Sequence, residues 1–130
     1  LIFFYLSVMI LRYQLFTIIW VIIILFLTLL PASSLPSGIN WYIPFDKLAH
    51  AGVFGILALL LTIGSCKQYS VEHMKRFPYH WTISLCFVFG LLIEVLQGSF
   101  TSRHFEWMDL VADMIGAFIG LIVFFFVYKW

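Results

Sequence analysis

Three pairs of polar residues stand at helical spacing at the ends of otherwise apolar stretches: Asp46 and His50 at i, i+4, Glu94 and Gln97 at i, i+3, and Asp109 and Asp113 at i, i+4. On a helix, each pair shares one face. Asp46 can also cap the helix it opens, with His50 satisfied inside a bundle, which is the plainer role for that pair. Between the second and third pairs lie Arg103, His104 and Glu106, so carboxylates, an imidazole and a guanidinium all fall near the same helix ends. Ionisable groups beside hydrocarbon are costly unless they pair inside a bundle or face a water-filled cavity. Arg103, fork-shaped and permanently charged, is then either the internal counter-ion or the handle for an anionic ligand. A Glu or His in this setting could act as a general base on water, with Arg103 stabilising developing negative charge. His50, Glu94, Asp109 and Asp113 would also suit a hard cation. Ser99, Thr101 and Ser102 are close by in sequence, but nothing marks one of them as an activated nucleophile.

The elements that must carry these residues follow from composition. The chain has 130 residues, enough for one domain, expected to run over 1–130. It is 64% hydrophobic and 10% charged, whereas soluble domains are about half apolar and a quarter charged. That excludes a soluble globular protein, and so much apolar surface excludes disorder. No basic patch of the kind nucleic-acid binding needs is present. Apolar runs, broken only by His50, Glu94 and Asp113, predict four membrane spans at about 13–30, 48–63, 81–96 and 110–128, each near the ~20 residues that a helix needs to cross a bilayer core. No segment alternates as a membrane strand would. The expected fold is an all-α membrane protein, a four-transmembrane-helix bundle with short loops.

Cys66 and Cys86 sit in or at the end of apolar runs and read as buried thiols rather than a disulfide. There is no Cys/His spacing for zinc, and no cofactor is expected. The sequence begins with Leu1, and Met9, followed by Arg12, is a second candidate start. The small residues of Pro31 to Gly38 after an apolar run would suit a cleaved leader, but that run exceeds the ~7–15 residues of a signal core, so a retained first span is expected.

An even number of crossings puts both termini on the side of the loop from Gly64 to His80. That side carries Arg12, Lys67, Lys75, Arg76 and Lys129, and the other carries only Lys47 and Arg103. The positive-inside rule then makes both termini cytoplasmic. The loop residues Glu72, His73, Lys75 and Arg76 are expected to lie on the anionic inner leaflet. Asp46, Glu94, Glu106, Asp109 and Asp113 gather at the outer face, beside Trp41, Tyr42, Phe45, Phe105 and Trp107, which suit an interfacial aromatic belt. On the fourth span, Gly116 and Gly120 form a GxxxG step that lets a neighbouring helix approach. Asp109 and Gly116 lie on nearly one stripe, as do Asp113 and Gly120, so the polar and close-packing faces coincide. Ala51 and Gly55 repeat the pattern on the second span.

The segments DKLAH, then EVLQ, then SRHFEWMDLVADMIGAFIG resemble the VanZ-like membrane proteins over Asp46 to Gly120. By that resemblance Asp46, His50, Glu94, Gln97, Arg103, Asp109, Gly116 and Gly120 occupy family motif positions. Asp113 stands where the family commonly has Asn, which strengthens the case for a proton or cation there. The resemblance implies a small multi-pass protein of the bacterial cytoplasmic membrane, whose namesake is associated with resistance to the glycopeptide teicoplanin. The leading expectation is an outward-facing polar pocket of Asp46, His50, Glu94, Gln97, Arg103, Asp109 and Asp113 that binds or acts on a lipid-linked or cell-wall-related group. Its partners would be membrane lipids and a lipid-linked envelope precursor or glycopeptide. Two alternatives stay open: an intramembrane hydrolase or transferase, and a non-catalytic assembly partner or proton-linked carrier.

Overall fold

The computed structural model describes residues 1–29, 45–100 and 105–128, without the side chains of Phe45 and Asp46. The described chain is helical: α1 (Ile2–Thr28), α2 (Phe45–Lys67), a short α3 (Glu72–Arg76), α4 (Pro78–Phe100) and α5 (Trp107–Tyr128). Four of these, all but α3, are long and apolar enough to cross a membrane. α2 and α4 outrun their apolar runs at both ends, and α1 and α5 at their starts. Hydropathy stops at charged residues, but a helix continues through them into the headgroup region as long as its backbone bonds are made. Thus α1 begins at Ile2 rather than near Tyr13, and α2 runs on to Lys67.

Local chemistry sets the ends of the elements. The Gln68 side chain closes the turn after α2, its Nε2 donating to the Val71 carbonyl at 2.7 Å and its Oε1 accepting the Val71 N–H at 2.7 Å. In α3, Glu72 lies in the first turn and Lys75 and Arg76 in the last, each on the favourable end of the helix dipole. Lys75 also covers the Tyr69 ring, 4.0 Å from its centroid. Proline opens α4, at a position where no backbone donor is needed.

α2 is the central helix, touching every other element and packing most extensively on α5. Phe54, Leu57, Ala58, Ile24, Cys86, Ile93 and Ala117 are buried around it. Glycine explains the α2/α5 intimacy. A Cβ on Gly116 would run into the Ala51 carbonyl, and one on Gly120 into the Gly55 carbonyl, so the two backbones meet where side chains would hold them apart. In contrast, α1 buries only Gln14, Thr17 and Ile24 and leaves Phe3, Phe4, Phe16 and Phe26 exposed around its circumference, as a lipid-facing helix would. The Trp20 indole N–H donates to the Val53 carbonyl at 2.9 Å and fastens α1 to α2.

Uncharged polar residues form a second layer nearer the Lys67 end of α2. The Thr62 and Thr82 hydroxyls bond at 2.8 Å across α2 and α4. The Thr17 hydroxyl donates to Gln14 Oε1 at 2.7 Å, and Gln14 Nε2 reaches the Leu61 carbonyl at 3.4 Å. Each group is buried and bonded, so no cost of an unmet polar atom arises there.

Candidate functional site

The ends of α2, α4 and α5 that carry ionisable residues converge. His50 lies one helical turn into α2 and points between α4 and α5 because the Ala51/Gly116 contact turns that face inward. Its Nδ1 lies 2.7 Å from Asp113 Oδ1, and its Nε2 lies 3.7 Å from Asp109 Oδ2. Asp109 and Asp113, one turn apart on α5, therefore grip the two edges of a single imidazole. Asp109 is in the first turn of α5, where the helix dipole favours an anion. Its other oxygen, Oδ1, accepts from the Lys47 ammonium, which also bonds Glu106.

Glu94 reaches the same place from α4. Its Oε2 accepts the Glu106 backbone N–H at 3.3 Å, while Oε1 has no hydrogen-bond partner among the described residues. His50, Glu94 and Asp109 each offer a ligand atom, all within 4.8 Å of one another. The cluster is deeply enclosed: Glu94 and Asp113 are 0% exposed and His50 5%. Its mouth is formed by Lys47, partly buried, and Glu106, exposed, with Phe105 and Trp107 in edge contact at 4.9 Å beside it. Gly90 on α4 makes room for the acid on α5, since a Cβ there would come within 3.1 Å of Asp113 Oδ2.

Of the residues expected from sequence, His50, Glu94, Asp109 and Asp113 meet in this cluster. Gln97 is buried too, and its Nε2 donates to the Thr28 carbonyl at 3.1 Å, tying α4 to the end of α1. Asp46 lies in α2, but its side chain is outside the described residues, as is the whole of Arg103. Gly116 and Gly120 line the α2/α5 seam. Lys47 was not singled out by its sequence position, yet it joins two of the acids. The signal was there: Lys47 precedes His50 by three residues and so shares its side of the helix.

On the outer side of the seam, Leu48, Gly52, Ile56, Leu59, Ile119 and Val123 line an apolar groove of about 460 Å³ that runs along α2 and α5 from the level of the charged cluster. An imidazole held by a carboxylate on one nitrogen, with acids and an ammonium at its other edge, can orient a polar group or exchange a proton with it. An apolar groove at the same seam can hold hydrocarbon.

Comparison with known proteins gives a consistent placement. The VanZ/LLP1 family model matches residues 1–128, more than the Asp46 to Gly120 segment on which the sequence resemblance was read. A protein of Schizosaccharomyces pombe described as uncharacterized is 32% identical over 93 residues, which is 71% of this chain and 51% of that protein. The chain thus spans about half the length of that curated relative. No solved structure matches.

Proposed function

We propose that this multi-pass membrane protein, which belongs to the VanZ/LLP1 family, binds a membrane lipid or lipid-linked envelope group, with its headgroup in the charged cluster and a hydrocarbon chain in the α2/α5 groove. The observation that carries this reading is the junction of two unlike environments at one seam: a buried set of His50, Asp109, Asp113 and Glu94, and an apolar groove starting at Leu48. Fully buried acids at the end of a membrane bundle are costly to keep without a task or a partner. Lys47, partly exposed at the mouth, is the cation that a phosphate-bearing headgroup meets there, and Arg103 stands three residues before Glu106 in sequence.

A link to teicoplanin would be a secondary consequence, arising where the bound lipid carries a cell-wall precursor. The distribution of Arg12, Lys67, Lys75 and Arg76 supports cytoplasmic termini and an outward-facing cluster, and the resemblance to VanZ-like proteins is what favours a bacterial cytoplasmic membrane. In a variant lacking Cys66 and Cys86, a cysteine at Glu106 is expected to react with a membrane-impermeant maleimide from outside intact cells, and one at Glu72 only after lysis. The reverse pattern would invert the orientation.

Native mass spectrometry of protein purified in mild detergent, with chelator present, tests the ligand reading. The wild type is expected to retain one phosphate-bearing lipid per chain, and Lys47→Ala to lose it while keeping its helical circular dichroism. Folded wild type without lipid, or equal retention by folded Lys47→Ala, would contradict it. A second reading, acid–base catalysis, draws on the His50–Asp113 pair, in which the carboxylate orients the ring and turns Nε2 toward the cluster. It predicts that folded His50→Gln still retains lipid but accumulates it unmodified.

A further inference from the structure

We infer that His50, Glu94 and Asp109 form a binding site for a divalent cation, with Asp113 as the outer partner that orients His50. The three residues come from three different helices, yet each offers a nitrogen or carboxylate oxygen within 4.8 Å of the other two. A metal with bonds of ~2.0–2.2 Å sets neighbouring ligands about 3–3.5 Å apart. The 3.7 Å between His50 Nε2 and Asp109 Oδ2 is too long for a hydrogen bond and close to that separation.

Two further observations point to a ligand rather than to an acidic cluster alone. The first is Glu94: its side chain is fully buried, its carboxylate turns into the trio, and Oε1 has no hydrogen-bond partner among the described residues. A buried oxygen left in that state is costly unless something binds it. The second is the imidazole. Metal-bound histidines characteristically give one ring nitrogen to a carboxylate, and His50 has Nδ1 2.7 Å from Asp113 Oδ1, with Nε2 3.7 Å from Asp109 Oδ2.

One nitrogen and two carboxylates form a mixed donor set suited to Mn²⁺ or Zn²⁺ rather than to the all-oxygen preference of Ca²⁺. Among the described residues three carboxylates are buried here, and Lys47 is shared between Asp109 and the exposed Glu106. The ion site stands separately from the headgroup reading, because ion binding is measured without added lipid and lipid retention is measured in chelator.

The test uses full-length protein in detergent, stripped with chelator and dialysed against Mn²⁺ or Zn²⁺ alone. One ion per chain is expected, and pulsed electron paramagnetic resonance of the Mn²⁺ form is expected to show ¹⁴N coupling from His50. Asp113→Asn should weaken binding by about 10- to 100-fold, the usual worth of an outer partner. Glu94→Gln and Asp109→Asn should weaken it by more, and Glu72→Gln, in α3 and away from the cluster, should leave it unchanged. If either ligand variant fails to fold, the ¹⁴N signal of the wild type decides by itself. No retained ion in folded wild type at millimolar metal, a bound ion without ¹⁴N coupling, or unchanged binding in folded Glu94→Gln would overturn the site.

Discussion

Asp113→Ala is expected to be the most damaging single substitution in the chain, lowering the stability of the bundle by about 3–5 kcal/mol, the usual cost of removing one partner from a buried charged pair. Asp113 is fully buried and bonds His50 Nδ1 at 2.7 Å, so its loss strands a ring nitrogen where no water competes. Breaking a pair costs more than deleting it. Replacing both partners, in Asp113→Leu combined with His50→Leu, is therefore expected to recover much of the stability, since neither Nδ1 of the ring nor the Asp113 carboxylate is then left without the other. Reversible unfolding in bicelles measures both. The double variant separates structure from function, because it should be folded and yet retain neither lipid nor ion. A double variant as unstable as the single one would mean that the loss lies in packing volume, not in the stranded nitrogen.

The second large effect is expected at the α2/α5 seam. Gly116→Ala places a methyl group against the Ala51 carbonyl, and Gly120→Ala places one against the Gly55 carbonyl; in both cases the obstructing atom is backbone and cannot rotate away. Overpacking of this kind costs about 1–3 kcal/mol. Because Gly116 follows Asp113 by three residues, separating the helices also draws Asp113 away from His50, so Gly116→Ala should weaken ligand retention as well as folding. Gly52 is the internal control. A Cβ there meets nothing within 4 Å, and Gly52→Ala should leave unfolding unchanged. Equal losses at Gly52 and Gly116 would contradict the close backbone contact, since helix propensity by itself favours alanine at both.

Much of this arrangement is legible before any coordinates, and the reason is that hydrocarbon makes ionisable residues conspicuous. His50, Glu94, Asp109 and Asp113 interrupt or flank apolar runs at helical spacing, and in the folded chain they meet. The Gly116/Gly120 step and its Ala51/Gly55 counterpart were readable for a similar reason, because small residues four apart form a stripe. Lys47 was obscured by its place at a span boundary, where a lysine is commonly an orientation signal or a snorkelling side chain.

The inner layer of Gln14, Thr17, Thr62 and Thr82 was not legible. These residues are uncharged and sit inside apolar runs, so they leave no break in hydropathy, and their partners lie on other helices. Gln97 shows the same limit. Its i, i+3 spacing from Glu94 suggests a shared face, but the bond it makes to the Thr28 carbonyl depends on where α1 ends in space. The five residues of α3 are too few to carry a periodic pattern of their own.

The convergence of α2, α4 and α5 rests most directly on the contact between the His50 ring and the Asp113 carboxylate. Solid-state NMR of the protein in lipid bilayers, with ¹⁵N in the histidine rings and ¹³C in the aspartate carboxylates, measures that contact through the nitrogen–carbon dipolar coupling. A strong coupling at His50 that disappears in Asp113→Leu is the expected result. A His50 ring with no carboxylate coupling in the wild type would mean that these helix ends stand apart in the membrane, and that the shared cluster does not exist.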